Sequence, residues 1–171
     1  AVIYDETLER IALSHGRLWG EFIQPKQLTD FLSAYVGSTK GLKVFNPFAG
    51  VASFMKNSQE SHLVFGQEIN LKTWAIGKLR LIVHQISADF ICEDSIMNWP
   101  KKEKFDLIIS NPPFGMRIIG NNKKHNPNFR DTDEFSLKMG LNSLSSSGKL
   151  ISVLPQGILF KGGYVQRLRE R

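Results

Sequence analysis

The chain has 171 residues, enough for one domain that buries roughly 70% of the surface its unfolded form exposes, so it needs no disulfide or metal staple. Its 42% hydrophobic, 11% aromatic and 22% charged residues exclude a disordered or fibrous chain, and a single cysteine, Cys92, excludes an intrachain disulfide and suits a reducing compartment. The net charge of +6 fits a polyanionic partner, but Lys161, Arg167, Arg169 and Arg171 against Glu170 gather half of that excess at the C-terminus, where a solvated helix face accounts for it equally well.

In chain order, the opening Ala1 to Glu6 has no basic region followed by an apolar stretch, and no apolar run approaches the ~18 residues of a membrane span. The sequence therefore reads as cytoplasmic, without signal peptide or membrane partner. A helix is predicted from Asp5 to about Ser14, with Leu8, Ile11 and Ala12 on one face and Gly16 as its stop. Gly16 to Gln24 reads as a structured loop. Pro25 suits the first turn of a second helix, whose inner stripe is Leu28, Phe31, Leu32 and Tyr35. From Lys43 onward, short β-rich runs predict strands at Lys43 to Asn46, Leu63 to Gln67, Asp89 to Cys92, Phe105 to Ser110 and Lys149 to Leu154. The longest intervening helix spans Asn70 to Ile86, with Asn70 as N-cap and Trp74, Leu79, Ile82 and Ile86 inward. Cys92, in the apolar run Phe90-Ile91-Cys92, is expected to be a buried, inert thiol. The serine-rich Ser143 to Gly148 is expected to be a turn. Alternation of strands and helices argues for an α/β fold with a doubly wound, mostly parallel sheet behind N-terminal helices.

Such sheets bind ligands at the carboxyl ends of their strands, near the point where strand order reverses. After the first strand, Ala49, Gly50 and Ala52 let the backbone turn sharply and approach a ligand, though a tight turn without one would use the same residues. After the second, Glu68 stands about where a carboxylate grips two ribose hydroxyls; a surface carboxylate ahead of a helix is the alternative. After the third, Asp94 offers an acceptor for the exocyclic amine of a cofactor base, or simply caps a turn.

The fourth strand ends in Asn111-Pro112-Pro113-Phe114, where two prolines stiffen the backbone and remove two N–H donors. The Asn111 amide oxygen and the Pro112 carbonyl, side by side, can hold both protons of an NH2 group, while Phe114 offers a stacking face for a flat base. An aromatic amine is a poor nucleophile because its lone pair is delocalised into the ring. Acceptors on both protons localise that pair and stabilise the positive charge that develops in the transition state. A plain strand-ending turn is the bland account of the same residues.

In this order the signals resemble the amino-group DNA methyltransferases, specifically the N6-adenine modification subunits and modification-restriction fusions of bacterial restriction systems. Asn111 to Phe114 matches that family's Asn/Asp-Pro-Pro-Phe/Tyr motif. Asn46-Pro47-Phe48-Ala49-Gly50 is similar to its Asp-Pro-Phe-x-Gly cofactor loop, and Glu68 and Asp94 fall on its ribose and adenine contacts. Gly20-Glu21-Phe22-Ile23-Gln24-Pro25 is similar to a Gly-x-Phe-x-Thr-Pro segment that packs on the methionine end of the cofactor, and its position ahead of the cofactor loop matches the gamma order. Gly148 to Gly163 resembles the fifth strand and the loop after it. Asn46 departs from the family's usual aspartate, and Gln24 from its usual threonine.

The resemblance implies a Rossmann-like class I methyltransferase that uses S-adenosylmethionine. Residues 1–40 would form a helical segment with the cofactor-packing loop, and residues 41–171 the catalytic core. It places Gln24, Pro25, Asn46, Pro47, Phe48, Ala49, Gly50, Glu68 and Asp94 at the cofactor and Asn111, Pro112, Pro113 and Phe114 at a flipped adenine. The family's sheet ends in two further antiparallel strands, so this chain is expected to stop at an exposed sheet edge. It also implies double-stranded DNA as substrate and, as partners, a target-recognition subunit or domain and a restriction nuclease. Beyond the tetrad, the turn-rich, basic Gly120 to Arg130 is expected to be a mobile loop with Lys123, Lys124 and Arg130 at DNA phosphates, or a solvated loop without partner. No histidine has the spacing or companions of a metal site. Methylation of an RNA guanine amine or a protein glutamine amide, or a noncatalytic DNA-assembly role, are the rival readings.

Overall fold

The computed structural model describes residues 1–15, 23–126 and 128–170, so the expected helix stop at Gly16, most of the Gly16 to Gln24 loop, Pro127 and Arg171 lie outside the described residues. Five strands form one parallel sheet: β1 (Lys43–Asn46), β2 (Leu63–Glu68), β3 (Asp89–Cys92), β4 (Phe105–Ser110) and β5 (Leu144–Ser152). Their order is β3-β2-β1-β4-β5. The chain thus moves outward from β1 to β3, then crosses to the far side of β1 for β4. That reversal lies between β1 and β4, where a doubly wound sheet opens a crevice at its carboxyl edge.

Among the described residues the α-helices are α1 (Val2–His15), α2 (Lys26–Val36), α3 (Leu71–Val83), α4 (Gly120–His125), α5 (Thr132–Asn142) and α6 (Tyr164–Arg169). None of the described helices is long and apolar enough to cross a membrane. On one face of the sheet Phe45 stacks on Phe65 and Phe105 at 5.2 and 4.8 Å and meets Trp99 edge-on; Trp99 in turn meets Phe135 of α5 at 5.5 Å. The indole N–H of Trp99 donates to Ser143 Oγ at 2.9 Å, so this aromatic layer leaves that donor satisfied. The opposite face buries Val44, Leu107 and Ile109 against Leu32 of α2, and Val64 against Leu81 of α3.

Asn70 caps α3 as expected, its side chain accepting the N–H groups of Lys72 and Thr73. The inner face of that helix meets expectation only in part: Trp74 and Ile86 pack in the core, but Leu79 and Ile82 do not. Leu79 and Ile82 are 54% and 63% exposed, whereas Thr73, Gly77, Arg80 and Leu81 are buried. Two contacts set this rotation. A Cβ on Gly77 would stand 2.8 Å from the Phe90 ring and 3.1 Å from the Val51 carbonyl carbon, so only glycine lets the helix lie this close to the loop after β1. Arg80 meanwhile turns inward to meet Asp5 of α1, Nε to Oδ1 at 2.7 Å.

Helix α2 is likewise turned from its predicted stripe. Leu32 and Thr29 are buried, while Phe31 and Tyr35 point outward and stack on each other at 6.4 Å. Cys92 is exposed rather than buried, because β3 is an edge strand whose last residue emerges from the sheet. The serine-rich segment expected to be a turn is the first half of β5: Leu144 pairs with Phe105, and Ser145 Oγ donates to Asp106 Oδ1 at 2.7 Å. A register shift between Phe105 and Leu107 accommodates it. No described strand lies outside β5, which borders the sheet.

Candidate active site

The strand ends converge on a cleft of about 940 Å³ at the β1/β4 reversal. From the loop after β1 come Pro47, Phe48 and Gly50; from the ends of β2 and β3, Glu68 and Asp94; from the end of β4, all four residues Asn111, Pro112, Pro113 and Phe114. Three of the expected cofactor residues stand apart from the cleft lining. Pro25 precedes α2 on the surface, Ala49 is buried with its N–H donated to Gln67 O at 2.9 Å, and Asn46 lies within the sheet at 1% exposure. Gln24 does line the cleft, and its neighbour Ile23 is buried with Leu8 and Val51; Gly20, Glu21 and Phe22 lie outside the described residues.

The loop after β1 is held by hydrogen bonds rather than by side-chain bulk. Ala52 N–H donates to Ala49 O at 2.9 Å, and Gly50 N–H donates to Glu68 Oε2 at 2.9 Å. Gly50 and Ala52 both have left-handed backbones, with φ of 56° and 57°. Glu68 Oε1 accepts from Asn70 N–H at 2.8 Å. Burial pushes the Glu68 carboxyl above the ordinary carboxylate range, against the opposing N–H donors of Asn70, Gly50 and Ile69. Each Glu68 oxygen still has a lone pair for a further donor.

Asp94 does cap a turn, as the sequence also allowed, with Oδ1 accepting from Ile96 N–H at 2.8 Å. Its Oδ2 accepts from the Asn122 amide at 3.2 Å. Asn122 sits on α4, where a mobile loop was expected. A neighbouring contact, Asn126 Nδ2 donating to Ile96 O at 2.8 Å, pins this short helix over the β3 end of the cleft. Lys123 donates to Phe129 O at 2.6 Å, Arg130 pairs with Asp131 and Glu134, and Lys124 is exposed, so the three expected phosphate contacts share one surface segment without lining the cleft.

Polar atoms without partners mark the places where a ligand could repay desolvation. Among the described residues, Asn111 Oδ1 is buried and makes no hydrogen bond, and both polar ends of the Asn46 side chain are in the same state. Phe114, by contrast, is 56% exposed at the rim. The cleft wall carries three carboxylates, Glu68, Glu93 and Asp94, and no lysine or arginine among the described residues. That charge suits a ligand with positive charge and a ribose, and opposes a pyrophosphate.

Sequence reasoning missed Asn122, Gln67, Met116 and Val153, all of which line the cleft. Val153 lies in the stretch that resembles the family's fifth strand and Asn122 in the basic segment, but nothing in the sequence marks them as cleft residues, and only the folded chain brings the four together.

The profile of the N-6 DNA Methylase family matches residues 1–171. The methylase subunit of the type I restriction enzyme EcoEI from Escherichia coli is 25% identical over 98% of this chain and 39% of its own length. The crystal structure of a modification subunit of a putative type I restriction enzyme from Vibrio vulnificus YJ016 superposes with a TM-score of 0.80 at 22% identity, over 98% of this chain and 41% of that one. A putative class I S-adenosylmethionine-dependent methyltransferase from Listeria monocytogenes shares the fold at a TM-score of 0.74 and 13% identity, over 98% of this chain and 57% of that one. The chain spans between about a fifth and two fifths of the length of curated relatives it matches. Since that family profile runs the length of the sequence, the chain belongs to the N-6 DNA methylase family.

Proposed function

We propose that this chain is the catalytic core of a DNA methyltransferase of a restriction-modification system, one that moves a methyl group from S-adenosylmethionine to N6 of an adenine flipped out of the duplex. The observation that carries the reading is the partnerless, buried Asn111 Oδ1 at the lip of a cleft that also holds Glu68 and Asp94.

The residues fit such a cofactor. Glu68 has acceptor capacity for two ribose hydroxyls, Asp94 for an adenine amine, and the acidic wall suits a sulfonium. Pro47, Phe48, Gly50 and Gln24 would pack on the rest, with Pro25, Asn46 and Ala49 shaping the loop and strand behind them. When bound, S-adenosylmethionine supplies an electrophilic methyl on a positively charged sulfur.

The chain's own part is to position the amine. Flipping the base costs roughly a few kcal/mol, offset in part by stacking on Phe114. Asn111 Oδ1 and the Pro112 carbonyl each accept a hydrogen bond from one amine N–H, which turns the nitrogen lone pair toward the methyl. As the N–C bond forms and the C–S bond breaks, those acceptors stabilise the positive amine; the surplus proton then leaves to solvent. Pro113 keeps the turn rigid. Lys123, Lys124 and Arg130 would contact phosphates beside the flipped base. A target-recognition subunit or domain, and a nuclease, would complete the assembly in the cytoplasm.

Incubating the full-length protein and its recognition subunit with trideuteromethyl cofactor and, separately, DNA, RNA and protein tests this directly. Mass spectrometry of digests should find the label on N6 of adenine in DNA. Label confined to a guanine amine, a cytosine amine or a glutamine amide would refute the proposal.

A further inference from the structure

The four-residue lip does not hold its own shape. Exposed Phe114 and Gly115 follow two prolines that offer no N–H, so the segment has few bonds of its own to fix it. Its anchors come from the N-terminal half of α5. The Thr132 hydroxyl donates to the Pro113 carbonyl. Asp133 Oδ1 accepts from Gly115 N–H at 3.0 Å, and Thr132 N–H donates to Met116 O at 3.0 Å. One residue before the lip, Ser110 Oγ meets Ser136 Oγ at 2.6 Å. Thr132, Asp133 and Ser136 are all buried, at 0%, 2% and 0% exposure, although each is polar. Lys161 stands 3.2 Å from Asp131 and 3.9 Å from Asp133, neutralising the acidic turn from the far side.

From this geometry we infer that Thr132 and Asp133 are positioning residues of the methyl-transfer site, which select the carbonyl presented to the amine and hold the Phe114 ring at its angle. The Pro113 carbonyl accepts from both the Thr132 hydroxyl and, at 3.5 Å, Met116 N–H, which occupies its two lone pairs, so the acceptor beside Asn111 Oδ1 is the one on Pro112. The Gly115 amide is committed to Asp133, which fixes the left-handed turn at φ 60° immediately after Phe114. Thr132 is buried and lines no part of the cleft; it acts through the peptide between Pro113 and Phe114. Buried polar side chains bonded to the backbone of the lip serve orientation, since an apolar contact would fill the same space without fixing the carbonyl.

This inference rests on the lip being the amine-binding element. Its test uses full-length protein and two readouts. Thr132→Val keeps the shape and removes the hydroxyl, and should lower kcat by about 10²-fold while cofactor affinity stays within about twofold; Thr132→Ser should restore kcat to within about threefold. Unchanged kcat in Thr132→Val, no rescue by Thr132→Ser, or a loss that tracks cofactor affinity would each overturn it. The second readout is hydrogen exchange, which needs no substrate and no variant. In the wild-type protein the exposed Gly115 should exchange slowly, and Thr132→Val should quicken exchange across residues 114–116. Fast exchange at Gly115 in the wild type overturns the inference even if Thr132→Val fails to fold. If the wild-type protein transfers no methyl to DNA adenine, the proposed function falls, and exchange alone decides whether the lip is clamped.

Discussion

Glu68 meets two opposing demands. Its burial raises the carboxyl pKa, whereas the N–H groups of Asn70, Gly50 and Ile69 favour the charged form. Ribose hydroxyls would donate to that carboxylate, so cofactor binding needs it ionised and draws its pKa down. Affinity should therefore be level above the raised pKa and should fall as pH drops through it. Calorimetric titration from neutral into acid pH measures this. Glu68→Gln should bind the cofactor about tenfold more weakly at neutral pH, with a flattened acid limb, because a hydrogen bond to a charged group is exchanged for a neutral one. An unchanged acid limb in that variant would assign the pH dependence elsewhere. Glu68 and Asp94 were legible in the sequence because each ends a short β-rich run. Asn122, bonded to Asp94 from α4, was not, since nothing in Gly120 to His125 says where that segment docks.

At the level of elements, one ion cluster joins α1 to the core. Asp5 of α1 meets Arg80 and His84 at the end of α3 and Lys56 in the turn after β1, at 2.7, 3.1 and 3.2 Å. Arg80 Nη1 also donates to Ser53 Oγ at 2.9 Å, so the cluster braces the loop that lines the cleft. Burial alone would raise the Asp5 carboxyl, but Arg80 and Lys56 outweigh it and hold its pKa below the ordinary value. A carboxyl lowered in the folded state adds stability that is present above its unfolded pKa and is lost as pH falls through the folded one. Asp5→Asn should cost about 3 kcal/mol in urea unfolding at neutral pH, because it leaves buried Arg80 short of its counter-ion, and should weaken the acid dependence of stability. The same cluster explains why the inner stripe of α3 departs from the predicted one. Periodicity ranks apolar residues, yet here a guanidinium and a glycine take the inner face, because a carboxylate and a close backbone wait there.

The basic segment carries a separate prediction. If Lys123, Lys124 and Arg130 neutralise phosphates, replacing all three with alanine should weaken DNA binding and flatten the logarithmic salt dependence by about 0.9 for each phosphate no longer neutralised. An unchanged slope would remove this segment from the DNA surface.

For the molecule as a whole, the functional reading depends on topology more than on any one motif. Strand order β3-β2-β1-β4-β5 puts the reversal between β1 and β4, and so sets the Pro47 to Gly50 loop beside the Asn111 lip although they lie far apart in sequence. Much of this was readable beforehand, since β1, β3 and β4 have the bounds their short apolar runs predict. The start of β5 was not, because serines and a glycine look like a turn until Asp106 and Phe105 supply their partners. The position of the lip's supports on α5 was hidden for the same reason: Thr132 and Asp133 look like ordinary helix-start residues.

The most direct test compares single-turnover methyl transfer with cofactor binding in full-length wild-type protein and Asn111→Ala. If two acceptors hold the amine against the methyl, transfer should fall by about 10² to 10³-fold while the cofactor Kd changes by no more than a few fold. Transfer that survives within a few fold, or that declines only as far as cofactor binding does, would contradict the account.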